Sequence, residues 1–284
     1  MLDRARTSGV RFFSGLIVGS LGGILLITGL AGPAAAAGVP KSTARAAYLV
    51  DVTTGETIYE RHPDRRLPIA SLTKVMTAYV ARREGALDDI ITISRLDVRH
   101  GHNGATNGGL RAGERLTTRD LLYALMLPSA ADAASALARR YGPGRAAFVA
   151  KMNAAADRLR LTRTHYVNPD GMPAAVDGYS TARDQTVLAR VVLDDPVIRI
   201  IARSQRHVVA RTALHRAHTW QNTNKLLSAE PGALGLKTGF TRAAGFCLMF
   251  AAVRDDHVLV GTVLGDTGDR QRLRSTVRLL DLAT

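Results

Sequence analysis

Strand-like segments lie near both ends of the sequence and helix-like segments fill its middle, and this order constrains the fold more than any other feature. Residues 46–52 and 57–60 are typical of a hairpin, because β-rich runs flank a turn at Thr53-Thr54-Gly55-Glu56. Further strands are predicted at 207–212, 233–237, 245–254 and 258–264. Apolar spacing predicts helices at 71–84, 118–127, 131–141, 145–159, 182–193 and 270–282, with loops and short strands over 86–116. A sheet assembled from both ends around a helical insert is an α/β or α+β fold.

The first 37 residues have the three parts of an export signal. Arg4, Arg6 and Arg11 precede a stretch without charge from Phe12 to Pro40, which is apolar in its middle and reaches four alanines at 34–37. We predict cleavage after Ala36 or Ala37. The alternative is an uncleaved membrane anchor, which the glycines of this segment disfavour. In either case the remainder of the chain, 38–284, is expected to work outside the cytoplasm, secreted or on the outer face of the membrane.

Composition excludes several classes of protein. The chain has 46% hydrophobic residues, as globular domains do, and a net charge of +14. Its basic residues are scattered without the dense stripe typical of nucleic-acid binding, so we predict a solvated basic surface and no nucleic-acid partner. One cysteine, Cys247, excludes an intramolecular disulfide and a cysteine-type zinc site, and its apolar neighbours predict a buried thiol.

Ser71-Leu72-Thr73-Lys74 is the first segment that indicates chemistry. Residues three apart lie on one helix face, which places the Lys74 amine beside the Ser71 hydroxyl. A serine becomes a useful nucleophile when a neighbouring base takes its proton, and burial can lower the pKa of a lysine far enough for it to act as that base. A serine at a helix start followed by a surface lysine is the alternative interpretation.

Lys237-Thr238-Gly239 is the second such segment, at the end of a predicted strand. It supplies a cation, a hydroxyl that can bind a carboxylate, and a glycine that lets a ligand approach the backbone. The chain has only five lysines, at 41, 74, 151, 225 and 237. Two of the five therefore fall in the two motifs that occur together in penicillin-recognising enzymes.

In these and other segments the chain resembles the D-alanyl-D-alanine carboxypeptidase family, the low-molecular-mass penicillin-binding proteins or serine DD-peptidases. Pro-Ile-Ala-Ser-Leu-Thr-Lys-Val-Met-Thr at 68–77 matches the nucleophile segment of the family. Lys-Thr-Gly-Phe-Thr at 237–241, with Ala-Ala-Gly-Phe-Cys at 243–247, matches its third motif and the following strand. Supporting similarities at 127–134, 168–171, 179–184 and 222–227 extend the resemblance over about 46–282.

The resemblance implies a β-lactamase/transpeptidase-like fold, with a five-stranded antiparallel sheet, flanking helices and a helical region. It implies one catalytic domain over 38–284, and the sequence ends directly after the last predicted helix, so we expect no carboxy-terminal β-domain. Any attachment to a membrane would come through the amino-terminal segment. No cofactor and no metal are expected.

The resemblance also implies the roles of individual residues. Ser71 attacks the D-Ala-D-Ala carbonyl of a peptidoglycan stem peptide, Lys74 is the base, and Ser129 passes a proton to the leaving amine. The backbone N–H groups of Ser71 and Phe240 form the oxyanion hole. The carboxylate subsite consists of Lys237, Thr238, Gly239 and Arg272, although a solvated helix arginine is an equal alternative for Arg272. β-Lactam antibiotics are expected to acylate Ser71.

One departure from the family pattern affects the expected rate. The middle motif of the family is Ser-x-Asn, whereas this chain has Ser129-Ala130-Ala131. The amide that would bind the lysine and the substrate carbonyl is absent, and an unmade buried hydrogen bond costs about 1–3 kcal/mol. We therefore expect a slower or altered enzyme, with a rate lower by roughly ten- to hundredfold.

Several other functions are alternatives to a serine DD-peptidase. A near-inactive peptidoglycan-binding protein is compatible with Ala131. A β-lactamase of the same fold would need a deacylating carboxylate, for which Asp170 or Asp177 are candidates. A metal site would have to use the histidine pairs 100 and 102 or 215 and 218, but neither has the His-Glu-x-x-His pattern, and no Gly-x-Ser-x-Gly segment indicates a Ser-His-Asp triad.

Overall fold

A five-stranded antiparallel sheet, in the order β2-β1-β9-β8-β7, joins the two ends of the chain in the computed structural model, which describes residues 42–102, 105–176 and 178–283. Its strands are β1 (Ala46–Asp51), β2 (Thr57–Arg61), β7 (Ala233–Thr241), β8 (Gly245–Arg254) and β9 (His257–Asp266). β1 pairs with β9, so the first strand of the sheet lies beside its last. The predicted sheet from both chain ends is confirmed.

α-Helices are the main regular elements of the chain between β2 and β7. They are α1 (Thr73–Glu84), α2 (Arg95–His102), α3 (Thr118–Met126), α4 (Ala131–Tyr141), α5 (Arg145–Arg158), α6 (Ala182–Asp194), α7 (Pro196–Arg203) and α8 (Leu226–Ala229), and α9 (Asp269–Leu280) follows the sheet. Two small ribbons join them, β3 (Ile90–Thr92) with β4 (Arg115–Thr117) and β5 (Arg206–Val209) with β6 (His218–Gln221). Single 3-10 turns span Ala70–Leu72 and Asp281–Ala283.

Several elements correct the expectations from the sequence. The segment predicted as loops and short strands over 86–116 contains α2, and α7, β6 and α8 were not predicted. The predicted strand at 207–212 ends at Val209. Ser71 lies in the 3-10 turn, one residue before the α1 N-cap Leu72, rather than inside the helix.

The sheet is covered on both faces, which explains the nearly continuous apolar sequence of its central strands. α6 packs on β1 and β9, whereas α9 packs on β8 and β9. The eight residues of β9 from Leu259 to Asp266 are all buried. Burial on both faces removes the alternation of apolar and polar residues that a half-exposed strand shows.

α1 connects the sheet side of the molecule to the helical region, because it packs against α3, α4 and α5 as well as α6. The 3-10 turn that precedes it contacts β7, the strand at the edge of the sheet. Ser71 is therefore held between the sheet edge and the helical region.

The predicted export signal at 1–37 lies outside the described residues, so this prediction stays untested. In the described part of the chain no helix combines the length and the apolar character needed to cross a membrane. Cys247 is buried as predicted, and burial raises the pKa of its thiol to about 11.

Candidate active site

The Ser71 hydroxyl and the Lys74 amine meet as their spacing predicts. Lys74 Nζ donates a hydrogen bond to Ser71 Oγ at 3.0 Å and a second one to the backbone carbonyl of Asp170 at 2.6 Å. Lys74 is 1% exposed, whereas Ser71 is half-buried and reaches the cleft. A buried amine thus lies behind an accessible hydroxyl.

Burial controls the protonation of Lys74. Removal from water lowers the pKa of this amine to about 8, against the opposing influence of the Asp170 and Asp132 carboxylates. Desolvation penalises the charged form of a lysine, so a substantial fraction of Lys74 is neutral near neutral pH. A neutral amine within hydrogen-bond distance of a serine can accept its proton.

Lys237 and Thr238 approach the same site from β7. Lys237 is 1% exposed and donates to the carbonyl of Thr238 at 3.1 Å. Burial first, and then the nearby charges of Lys74 and Arg272, lower the pKa of Lys237 well below its usual value. The Thr238 hydroxyl lines the cleft and shares a hydrogen bond of 2.7 Å with the Thr223 hydroxyl.

Gly239 allows β7 to pass close to the 3-10 turn. A Cβ atom at this position would lie 2.9 Å from the carbonyl oxygen of Ile69 and 3.2 Å from the backbone nitrogen of Ser71. Only a glycine permits this approach without a shift of one backbone. The close contact brings Phe240, the next residue of the strand, beside Ser71.

Ser129 lines the opposite side of the cleft with a free hydroxyl. Its backbone has φ of 69°, an uncommon conformation for serine, and its buried Oγ has no hydrogen-bond partner among the described residues. A strained residue with an unsatisfied polar atom is typical of a functional position.

Ala131 is fully buried two residues later, and its N–H donates to the carbonyl of Thr106 at 2.9 Å. The side chain at this position is a methyl group, so it offers no amide to Lys74 or Ser129. Asp132, next in the chain, accepts hydrogen bonds from the N–H groups of Gly108 and Leu110. This carboxylate ties the loop before β4 to the start of α4.

Arg272 is a buried residue of the cleft and not a solvated helix arginine. It is 6% exposed, donates to the carbonyl of Cys247 at 3.1 Å, and is paired with Asp269. Its guanidinium lines the cleft together with Thr238. Burial lowers the pKa of Arg272 as well, but a guanidinium is a much weaker acid than an ammonium group, so Arg272 is the more constant positive charge of the two.

The cleft has a volume of about 800 Å³. It brings together these predicted site residues: Ser71, Lys74, Ser129, Thr238, Gly239, Phe240 and Arg272. Lys237, which belongs to β7, is buried and does not line the cleft. The cleft also contains residues to which the sequence assigned no role, among them Met172, Thr223, Lys225, Arg242 and Asp269.

Asp170 contacts Lys74 through its backbone carbonyl, whereas its carboxylate acts on the amine only through its charge. The carboxylate accepts the N–H of Met172 at 3.0 Å and lies 3.7 Å from Arg145, while the carbonyl accepts from Lys74. Gly171 has φ of +76°, and a Cβ there would lie 1.9 Å from the carbonyl oxygen of Ala70. The Asn-Pro-Asp-Gly sequence indicates a tight turn, but which carbonyl it presents cannot be read from the residues.

Two of the histidines considered as metal ligands, His215 and His218, bind other protein groups. His218 Nε2 lies 3.2 Å from Glu114, and His215 Nδ1 lies 3.0 Å from the carbonyl of Arg216. Over the described ranges no three His, Cys, Asp or Glu side chains are grouped to hold a metal ion. Asp177, the other carboxylate weighed, lies outside the described residues.

An acyl transfer by a serine requires a hydroxyl, an amine of lowered pKa and the backbone N–H groups at the start of a helix. The fold and the cleft are thus typical of the serine acyl-transfer enzymes as a class. The profile of the D-alanyl-D-alanine carboxypeptidase family, peptidase family S11, matches residues 33–268. The chain belongs to this family, and it is a serine-type D-Ala-D-Ala peptidase.

Individual relatives agree with this assignment. A D-alanyl-D-alanine carboxypeptidase of Streptomyces sp. strain K15 is 36% identical over 274 residues, which cover 91% of this chain and 94% of the relative. The crystal structure of the Streptomyces K15 DD-transpeptidase superposes with a TM-score of 0.81 at 36% identity, covering 86% of this chain and 97% of that one. A D-alanyl-D-alanine carboxypeptidase from Mycobacterium tuberculosis superposes with a TM-score of 0.82 at 30% identity, covering 88% and 94%. The expected fold is confirmed.

Proposed function

We propose that the chain cleaves the terminal D-Ala from peptidoglycan stem peptides through an acyl-enzyme on Ser71. Lys74 takes the proton of the Ser71 hydroxyl as its oxygen attacks the carbonyl of the penultimate D-Ala. The C–N bond then breaks, the departing D-Ala amine receives a proton through Ser129, and water or an acceptor amine resolves the ester. The observation that carries this proposal is the 3.0 Å hydrogen bond between a buried Lys74 amine of lowered pKa and a cleft-facing Ser71 hydroxyl.

Binding of the substrate would use the surface of β7. The N–H groups of Ser71 and Phe240 would receive the developing oxyanion, since Gly239 keeps the strand beside the turn. The terminal carboxylate would bind Thr238 and the permanent charge of Arg272, with Lys237 behind them. β-Lactams present a similar amide and carboxylate, so they would acylate the same oxygen.

Ala131 would slow this chemistry without abolishing it. Ser129 Oγ has no partner in the described structure, and Ala131 provides no amide beside it. The missing hydrogen bond would cost roughly ten- to hundredfold in rate. The same substitution is the feature that favours a second candidate, a peptidoglycan-binding protein with almost no turnover.

The site of action would lie outside the cytoplasm. The charge pattern of residues 1–37 is that of an export signal, and peptidoglycan stem peptides are extracytoplasmic substrates. Fractionation of cells that make the full chain would contradict this proposal if the protein stayed in the cytoplasm.

Covalent labelling tests the proposed chemistry. We expect a fluorescent penicillin to label the wild type, and the wild type to release D-Ala from an acylated tripeptide that ends in D-Ala-D-Ala. Ser71→Ala should lose both activities, whereas the control Ser228→Ala, at an exposed serine outside the cleft, should keep both. A wild type that neither takes the label nor releases D-Ala would leave only the binding function.

A further inference from the structure

More basic than acidic residues line the cleft, and the basic residues differ in whether they have a partner. Of the described residues lining it, Lys74, Lys225, Arg242 and Arg272 are basic, and Asp269 is the one acidic residue. Lys225 Nζ lies 2.6 Å from the Asp269 carboxylate, and Arg272 is paired with the same group. The cleft therefore holds more positive charge than its own carboxylate neutralises.

Arg242 is the cation of the cleft for which the described residues provide no partner. It is exposed in the turn between β7 and β8, and its guanidinium makes no hydrogen bond or ion pair within the part of the chain that the structure describes. Asp269 is engaged by two other cations. A carboxylate that enters with a ligand would thus find a free guanidinium without having to displace a protein carboxylate.

A peptide that binds along β7 in the direction required by the proposed function would pass beside Arg242. β7 is an edge strand, and an extended peptide can add to such an edge. With its terminal carboxylate at Thr238 and its scissile carbonyl at Phe240, the peptide runs antiparallel to β7, with its amino-terminal part beyond Thr241. At about 3.4 Å per residue, the residue before D-Ala-D-Ala comes beside Arg242.

The other residues that line this part of the cleft carry no charge. Thr241 and Ala243 flank Arg242 in the chain, and Met172 and Pro173 line the cleft with them. These residues offer a side chain no competing charge. A side chain that enters here meets uncharged residues and one guanidinium, whose planar fork fits a carboxylate.

We propose that Arg242 is a specificity residue that binds a carboxylate on the side chain of the residue preceding D-Ala-D-Ala. The inference rests on the proposed function for the direction and the register of the peptide. The cleft then prefers a peptide with a second carboxylate to a neutral peptide of the same shape. A side chain that ends in an amine is disfavoured by like charge.

Three matched peptides test the inference: N-acetyl-L-Glu-D-Ala-D-Ala, its L-Gln isostere and its L-Lys analogue. We expect the wild type to turn over the Glu peptide with a kcat/KM about three- to fivefold above that of the Gln peptide, the range of a partly exposed ion pair. The Lys peptide should be the poorest substrate. Raising the salt concentration should reduce the difference between the Glu and Gln peptides.

Substitutions of Arg242 assign the preference to this residue. Arg242→Gln should bring the Glu-to-Gln ratio to about one, and Arg242→Glu should place the Lys peptide above the Glu peptide. Arg278→Gln removes the same charge from an exposed position on α9 outside the cleft and should keep the wild-type ratio. A wild type that treats the three peptides alike, or an Arg242→Gln variant that keeps the preference, overturns the inference.

Binding without turnover separates this inference from the proposed function. In the Ser71→Ala background, affinities for the three peptides should follow the same order, and Arg242→Gln should remove the order. An order of affinities without any D-Ala release by the wild type would support the specificity role and contradict the proposed chemistry. Equal affinities alongside normal D-Ala release would support the proposed chemistry and contradict the specificity role of Arg242.

Discussion

At the scale of residues, the buried amine of Lys74 is the group on which the proposed chemistry depends. Lys74 has two hydrogen-bond acceptors, the Ser71 hydroxyl and the Asp170 carbonyl, and both are uncharged. The carboxylates of Asp170 and Asp132 oppose its loss of charge, but burial outweighs them. Desolvation thus lowers the pKa of Lys74 towards the range in which an amine can act as a base.

The pH dependence of acylation follows from this balance. Only the neutral amine can take the serine proton, and burial lowers the pKa of Lys74 to about 8. We expect kcat/KM for penicillin acylation to rise as the pH rises through this value and to level off above it. Lys74→Arg keeps the positive charge but stays protonated, so it should lose acylation, whereas Lys151→Arg should not. A rate independent of pH across this range would contradict the role of Lys74 as the base.

The absent amide at position 131 gives a second prediction. Ala131→Asn should raise the rate of D-Ala release roughly tenfold or more, because it restores one hydrogen bond at a buried site. Ala131 is fully buried, so overpacking could also disturb the fold, and thermal unfolding of the variant separates the two effects. An equal or lower rate in a variant that unfolds at the wild-type temperature would count against this role of the position.

At the scale of elements, the site depends on how closely β7 approaches the 3-10 turn before α1. Gly239 and Gly171 face this turn from two directions, and a Cβ atom on either would meet the backbone of residues 69–72. Backbone atoms cannot move away as a flexible side chain can. The position of Ser71 is thus fixed by two contacts that exclude any side chain.

Gly239→Ala tests this contact. The added methyl group would lie 2.9 Å from Ile69 O and 3.2 Å from Ser71 N, so the strand or the turn must shift by a few tenths of an ångström. We expect at least a tenfold loss of penicillin acylation, because misplaced oxyanion donors stabilise the transition state poorly. Gly268→Ala, whose methyl group would have 4.0 Å to its nearest neighbour, should acylate normally. Equal rates for the two variants would show that the approach of β7 is not needed.

The order of the elements was predictable because their signals are local. Thr117 and Thr181 cap α3 and α6 by accepting the N–H groups of Asp120 and Asp184, as such residues do before apolar periodic segments. α7 was missed although Asp195 and Pro196 supply its cap and first residue. Ser94 and Asp97 likewise form a cap for α2 that the glycines and asparagines of the segment obscured.

The site was predictable only in part, for a physical reason. Ser71 and Lys74 are neighbours along one turn, so spacing was enough to pair them. Thr223 is 15 residues away in the sequence from Thr238, its hydrogen-bond partner. Asp170 is 96 residues away from Lys74, which its carbonyl contacts. Such contacts depend on tertiary packing, which residue patterns do not encode. Burial of Arg272 likewise became clear only from its packing against the Cys247 carbonyl.

At the scale of the whole molecule, two apolar layers hold the sheet and the helical region. One layer packs α1 and the helices against the inner face of the sheet, and it includes Leu72, Val75 and Met76 beside the site. The other fills the space between the opposite face and α9, with Phe250 and Leu279 among its members. The cleft lies where the first layer reaches the edge of the sheet.

The free edge of β7 has a consequence for the behaviour of the protein in solution. Unpaired N–H and C=O groups on an edge strand attract the strands of other molecules and so promote aggregation. Here part of that edge lies in the cleft, which Met172, Pro173 and Thr223 also line. An edge that is recessed in this way is harder for the sheet of another molecule to reach than an exposed edge. The residues that line the cleft therefore also help to keep neighbouring copies of the protein from joining edge to edge.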